Sequence, residues 1–364
     1  MSTRPRLTPA MADTRRAVRE LLRAQFPDAL AALTRMPGCA GGTGYDVPAD
    51  APLVLVALSG GADSLALAAA TAFEAQRCGL HAGAVIVDHQ LQDGSAEVAA
   101  VAAAQATKLG LAPVIIERVT VAGRVDPQGR IETHGPEADA RAARYGAFAR
   151  VSEATGAQAI LLAHTLNDQA ETVLLGLARG AGATSIAAMT PVTGRFLRPF
   201  LGITREQTEQ ACADQSLEPW HDPHNTDRGY ARVRIRHDVL PVLENELGPG
   251  IAESLARTAA HLQDDAEVLD ALAKQAWCES WVEPADGFDT RSALLNHRLL
   301  AAHPRAIRTR VMRAAAERAE LGMLTSAHID AIDALMTNWH GQGALHVPGG
   351  TVARADDILI FSAE

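Results

Sequence analysis

Aromatic residues make up only 4% of this 364-residue chain. That is too few for the wide stacking platforms that hold single-stranded nucleic acid without sequence preference. No apolar run reaches the roughly 20 residues a membrane-spanning helix needs. The N-terminal stretch MSTRPRLTPAMADTRRAVRELL is basic but has no apolar core, so it does not read as a secretory signal. Cysteine is scarce: Cys39, Cys78, Cys212 and Cys278 are scattered, with no CxxC pair. This argues against a zinc ribbon, an iron–sulfur cluster or a disulfide framework, and it fits a reducing cytoplasm. Base is outnumbered by acid, with a net charge of −10. Any surface for nucleic acid must then be local rather than global.

What is present is an ordinary globular composition, 48% hydrophobic and 21% charged. The length exceeds one comfortable core, so two domains are expected. The most informative stretch is Leu53–Leu67, LVLVALSGGADSLAL. Leu53–Leu58 reads as a buried strand, Ser59-Gly60-Gly61 as a tight turn, and Asp63-Ser64 opens an alanine-rich helix. A strand, a glycine turn and a helix N-terminus form an anion site, because the backbone can approach a phosphate and the first helical N–H groups point at it. No Gly-Lys-Ser/Thr follows, so this is not a Walker A loop, and it is not GxGxxG. It resembles the SGGxDS loop of the ATP-pyrophosphatase (PP-loop) superfamily, whose members split ATP into AMP and pyrophosphate.

Residues 1–50 read as an N-terminal appendage and linker, with a helix from about Asp13 to Gln25 and a Gly/Pro-rich stretch, Pro37–Pro52. From Leu53 strands and helices alternate. Strands are expected at Ala82–Val87, Pro113–Glu117 and Ala159–Ala163, and helices at Ser95–Leu109, Pro136–Thr155 and Asn167–Ala178. Gly123–Gly135 reads as a loop. This alternation implies an α/β fold with a doubly wound parallel sheet, whose ligands sit beyond the carboxyl ends of the strands. After Gly180 come irregular, polar connections. Ile251–Lys274, Pro304–Glu320 and Thr325–Met336 are then helical, and Gly343–Ser362 forms short strands. The expected organisation is an extension over 1–50, an α/β domain over 51–247 and a mainly helical C-terminal domain over 248–364. No apolar seam demands dimerisation through the helical tail, so monomer and homodimer both stand.

Three further constellations carry chemistry. In His164–Glu171, HTLNDQAE, His164 ends the fourth strand and Asn167 caps the next helix. Asp168 and Glu171 then share one face of its first turn. Helix N-termini favour acids for structural reasons, but that does not explain two carboxylates and a histidine converging on a nucleotide site. The pair could hold Mg²⁺ against phosphates or grip an ammonium group. In Glu137–Tyr145, EADARAARY, the residues Arg141, Arg144 and Tyr145 fall near one side of a helix, suited to phosphate or to a nucleic-acid backbone. Arg228–Arg236, RGYARVRIR, is the densest positive patch and fits contacts with RNA phosphates and bases. His221, His224 and His237 lack metal-ligand spacing.

Together these segments resemble the tRNA(Ile)-lysidine synthase family. The loop Ser59–Ser64, the segment Val87–Leu91 (VDHQL), the Glu137–Tyr145 helix and the block His164–Gly182 all match its motifs. So do Arg198-Pro199-Phe200-Leu201, Asp222–Pro241 and the Val347-Pro348-Gly349-Gly350 end. The resemblance runs from about Leu53 to the C-terminus. Asn167 departs from the family's usual Asp, Val233 from its Asn, and Gln92 from its Arg. The first of these weakens a metal assignment if that Asp were an obligatory ligand, although Asp168 and Glu171 remain.

The resemblance implies that ATP adenylates the 2-oxo group of the first anticodon cytidine in an isoleucine tRNA with a CAU anticodon. Free L-lysine then displaces AMP. It further implies that Ser59, Gly60, Gly61, Ala62, Asp63 and Ser64 hold ATP. Asp63 and Asp168 are the candidates for Mg²⁺. Asp63, Arg141, His164, Asp168 and Glu171 are the candidates for catalysis, and Arg144, Arg198, Arg232, Arg234 and Arg236 for RNA.

Other classes compete. A PP-loop enzyme that puts sulfur on cytidine would need cysteines for sulfur or a cluster. An ATP-dependent amidotransferase or NAD synthetase would leave the Arg-rich patch and helical tail unexplained. A non-enzymatic nucleotide-binding module would keep no turnover to lose on substitution of Asp63 or Asp168.

Overall fold

The computed structural model describes residues 7–35, 45–90, 94–120, 124–125, 131–132, 136–180, 182–284 and 289–364. It divides into two compact units, Met1–Ala260 and His261–Glu364.

The first unit is built on strands β1 (Leu53–Ala57), β2 (His81–Asp88), β3 (Val114–Arg118), β4 (Ala159–Leu161), β5 (Val192–Thr193) and β6 (Phe196–Leu197). Their order across the sheet is β3-β2-β1-β4-β6-β5. All are parallel except β5, which closes the edge antiparallel to β6. Val54, Leu55 and Val56 on β1 are fully buried, as expected for a central parallel strand covered on both faces. Strand order reverses between β1 and β4, and in open α/β sheets such a switch point opens a crevice at the carboxyl edge.

Helices α1 (Pro9–Gln25), α2 (Ala62–Glu74), α3 (Ser95–Lys108), α4 (Pro136–Thr155), α5 (Leu166–Ala178) and α6 (Arg205–Asp214) surround this sheet. A helical stretch α7 follows over 231–247 and includes a π-helical turn, Ile235–Val239. From sequence, residues 1–50 look like an appendage, yet α1 is part of the core. Thr8 caps it, Pro9 pre-sets its first turn, and Met11, Val18 and Leu22 are buried. Val18 and Leu22 belong to the same cluster as Val54, Leu65 and Phe200. An apolar stripe at i, i+3/i+4 must find a face to cover, and this one packs on α2 and α6.

The long helix α8 (Ile251–Ser280) passes from the first unit into the second at Ala260–His261. The second unit contains helices α9 (Arg305–Arg318) and α10 (Ser326–Thr337). It also contains strands β7 (Ala293–Asn296), β8 (Leu345–Val347), β9 (Gly350–Ala355) and β10 (Ile358–Ala363), in the antiparallel order β7-β10-β9-β8. Leu295, Met312, Ile332, Val352 and Phe361 are its buried centre. The mainly helical expectation thus gains a four-stranded sheet whose strand β7 sequence inspection missed. Among the described residues, no helix is long and apolar enough to cross a membrane. Most of the expected loop Gly123–Gly135, and Cys39, Leu91 and Gln92, lie outside the described residues.

Candidate active site

The chain leaves β1 through Ser59-Gly60-Gly61 and enters α2 at Ala62, with Gly61 at the cap. Gly60 has φ +87°, a region that costs an L-residue roughly 1–2 kcal/mol. The loop is fastened from inside. Ser64 Oγ accepts the Ser59 N–H at 3.2 Å and donates to the Gly61 carbonyl at 3.0 Å. The Trp220 N–H donates to the Gly60 carbonyl at 2.9 Å. The first N–H groups of α2 have no acceptor within the helix, as at any helix N-terminus, and such groups can meet an anion.

Asp63, in that first turn, accepts the Thr208 hydroxyl and lies 3.6 Å from the Arg205 guanidinium. Burial pushes its carboxyl above the ordinary range, against the pull of Thr208 and Arg205.

After β4, four residues intervene before α5. His164 therefore sits beyond the strand rather than ending it, and Thr165, not Asn167, is the cap. Thr165 is extended, and its N–H and hydroxyl donate to Asp168 at 2.8 and 3.0 Å, completing a capping box. Asn167 does something else. Its side-chain oxygen accepts the Arg205 N–H at 2.9 Å and docks the start of α6 on the start of α5.

This docking delivers a residue that sequence inspection missed. The Arg205 guanidinium stands 3.6 Å from Asp63, 3.3 Å from Asp168 and 3.8 Å from Glu171. A signal for it existed, because Thr204 and Gln207 form the T-x-x-Q capping box that starts α6.

Glu171 is fully buried and paired in a fork with Arg236, at 2.7 and 3.2 Å. Arg236 comes from the π-helical turn and also lies 3.6 Å from Asp168. Three carboxylates meet two guanidiniums here, leaving one surplus negative charge. Burial alone would raise the Asp168 pKa. The Arg205 guanidinium, the Thr165 N–H, His164 and Arg236 hold it below the usual carboxylate range instead.

His164 is half-buried at this seam, and its Nδ1 is buried with no hydrogen-bond partner among the described residues. Burial drives its pKa down to about 4; Asp168 opposes this, and Arg198, Arg141 and Arg232 add to it. It is therefore a neutral imidazole at pH 7, with three arginines close enough to be felt. On α4, exposed Arg141 donates to Tyr145 Oη at 3.3 Å and stacks on its ring, 5.0 Å from the centroid. Arg144, also exposed, donates from Nε to His89 Nε2 at 3.3 Å.

The arginines expected to meet RNA thus separate. Arg144 and Arg232 remain at or near the surface. Arg234 is exposed, but it holds the carbonyls of Arg228 and Gly229 at 2.7 and 2.9 Å. Arg236 is consumed by the carboxylates. Arg198 is corrected outright: it is 6% exposed and braces the turn into β5 through the Thr190 carbonyl and the Thr193 hydroxyl. A guanidinium enclosed by its own turn is not presented to a polyanion.

The PP-loop domain family matches residues 44–243, and the TilS substrate binding domain matches residues 295–360. A tRNA(Ile)-lysidine synthase of Leifsonia xyli is 54% identical over 337 residues, 92% of this chain and 97% of the relative. One from Thermobifida fusca is 52% identical over 322 residues, 88% of this chain and 94% of the relative. Among solved structures, the U34-tRNA thiolase NcsA of Methanococcus maripaludis, with its [4Fe-4S] cluster, superposes with a TM-score of 0.52 at 18% identity. It covers 70% of this chain and 80% of its own, a likeness of fold. With about half of all positions identical to those of these relatives over nearly their whole length, and a PP-loop domain match over residues 44–243, this chain belongs to the tRNA(Ile)-lysidine synthase family.

Proposed function

We propose that this chain converts the first anticodon cytidine of an isoleucine tRNA with a CAU anticodon into lysidine, using ATP and free L-lysine. The observation that carries this is the pairing, across one crevice, of an amide-lined phosphate loop with a carboxylate cluster one charge short of neutral. The first half suits a pyrophosphate. The second suits one ammonium group, and its acids cannot drift, because Arg205 and Arg236 fix them.

The chemistry takes two displacements. The cytidine 2-oxo oxygen attacks the α-phosphorus of ATP, and the bond to pyrophosphate breaks. The departing anion is met by the first N–H groups of α2, which follow the Ser59–Gly61 turn. The lysine amine then attacks C2 of the base, and the C2–O bond breaks with AMP carrying the oxygen away. One proton leaves the nitrogen. Adenylation comes first because an amide-like oxygen is a poor leaving group. Asp168 and Glu171 orient the lysine, and His164, neutral at pH 7, adds no positive charge to repel it. Arg141, Arg144 and Arg232 offset anionic charge on ATP and the anticodon loop.

Asp63, beside the phosphate loop, offers the hard carboxylate oxygen that Mg²⁺ would take with its waters, and Asp168 serves as its second carboxylate only when it is not holding the lysine ammonium. Bound there, it would neutralise charge on the ATP phosphates. The PP-loop unit carries this chemistry, catalytic over 51–247, and the 248–364 region with its TilS-type domain binds tRNA, in the cytoplasm.

The test is to incubate the protein with ATP, Mg²⁺, isotopically labelled lysine and the tRNA transcript, alongside a methionine tRNA, and to weigh the digested nucleosides. A cytidine heavier by a dehydrated lysine, in the isoleucine tRNA alone, is the expected result. AMP release without lysine incorporation would discard the reading.

A further inference from the structure

His89 follows β2 at the carboxyl edge of the sheet, next to β1 in the strand order, and the mechanism above does not use it. Its backbone is held on a bend. The Gln90 N–H donates to Asp88 Oδ1 at 3.0 Å, and Gln90 adopts a left-handed φ of 53°. Asp88 is itself buried, 3.8 Å from Arg118. Its ring state follows from one contact. A guanidinium N–H can only donate, and Arg144 Nε lies 3.3 Å from His89 Nε2. Nε2 is therefore the unprotonated nitrogen, and the ring proton resides on Nδ1. Burial and the Arg144 charge both push the ring pKa down, so the ring stays neutral at pH 7. Nδ1 is buried, with no hydrogen-bond partner among the described residues. Native structures rarely leave such a donor unpaired, because it forfeits its bonds to water. The missing partner is an acceptor, and beside a guanidinium the acceptor that gains most is an anionic oxygen.

We propose that His89 Nδ1–H and the Arg144 guanidinium together bind a phosphate oxygen of the substrate. This rests on the reading that ATP and tRNA both meet this edge of the sheet. The phosphate belongs either to ATP or to the RNA backbone.

Two near-isosteric variants separate donor from scaffold. His89→Asn places an amide nitrogen where Nδ1 was and keeps the donor. His89→Gln places its amide near Nε2, keeps a partner for Arg144 and loses the donor. Equilibrium Kd values are measured for ATP without tRNA, and for tRNA without ATP across a salt series.

If the phosphate is that of ATP, H89Q weakens ATP binding by about tenfold or more, as for a hydrogen bond to a charged group, and H89N restores most of it. If it is a backbone phosphate, the same ordering is seen in the tRNA Kd. The loss in H89Q is then of similar size at every salt concentration, because a neutral imidazole releases no counterion and Arg144 keeps its charge. Equal Kd values for both variants and wild type overturn the proposal. So does an equal loss in both variants with a lowered Tm, which marks His89 as scaffold. Neither Kd requires turnover, so a wild-type protein that transfers no lysine sinks the lysidine reading and leaves His89 to be judged separately.

Discussion

Replacing Arg236 with methionine is the sharpest test of how the carboxylate cluster is built. Glu171 is 0% exposed and bound in a fork by Arg236, which is itself only 24% exposed. Removing one partner of a buried pair costs about 3–5 kcal/mol, because a charge is left without compensation. Two features reduce this here. Arg236 keeps some contact with water, and Arg205 remains 3.8 Å from Glu171. A loss of about 2–4 kcal/mol is therefore expected. For a cooperative unit of this size it corresponds to a fall in Tm of about 5–15 °C. Calorimetry reads it directly, with the transition of the first unit followed by its ATP dependence. The double variant R236M/E171M should recover most of the loss, since an apolar pair of similar volume replaces a buried ion pair at little cost. The opposing expectation from sequence is that Arg236 is an RNA contact. A variant with unchanged Tm and weakened, less salt-sensitive tRNA binding would refute the cluster as described.

Asp63→Asn should abolish pyrophosphate release while leaving Tm within a few degrees. Burial already disfavours the Asp63 carboxylate, so its loss does not harm the fold; a folded variant with full turnover would remove Asp63 from the site. Arg198→Met should destabilise without changing the salt slope of tRNA binding. Arg232→Ser should lower that slope by about 0.7–0.9 with little change in Tm, and binding assays across a salt series distinguish the two. His164 should titrate near pH 4 by NMR. Because its folded pKa lies below the unfolded value of about 6.5, the native state binds fewer protons in between. Its contribution is complete above about pH 6.5 and is lost as pH falls towards 4, at most about 3 kcal/mol. His164→Asn should flatten that slope in denaturant midpoints measured from pH 4 to 7.

The fold and the site were not equally legible, for one physical reason. Strands and helices are written in short-range periodicity. Thus β1, α4 and the DQAE turn of α5 could be placed from a few neighbouring residues, while the alternation implied a parallel sheet but not the strand order that puts a switch point between β1 and β4. Helix α1 was legible in part: the expected span from about Asp13 to Gln25 has the right end, but the helix begins a turn earlier, at Pro9 behind the Thr8 cap. That it is core rather than appendage was not, because its partners on α2 and α6 lie far along the chain. The same distance hid the charge pairing. Arg236 and Glu171 are 65 residues apart, Arg205 and Asp168 are 37 apart, and Thr208 and Asp63 are 145 apart. Arg228–Arg236 reads as one basic patch only while its members are counted together. Once the π-helical turn directs Arg236 at Glu171, and Arg234 folds back on its own loop, a run of like charges becomes three different jobs. An arginine count therefore overstates the RNA surface here. What sets the surface is how many of those arginines the protein's own carboxylates and carbonyls leave unclaimed, which a salt series on single variants can measure.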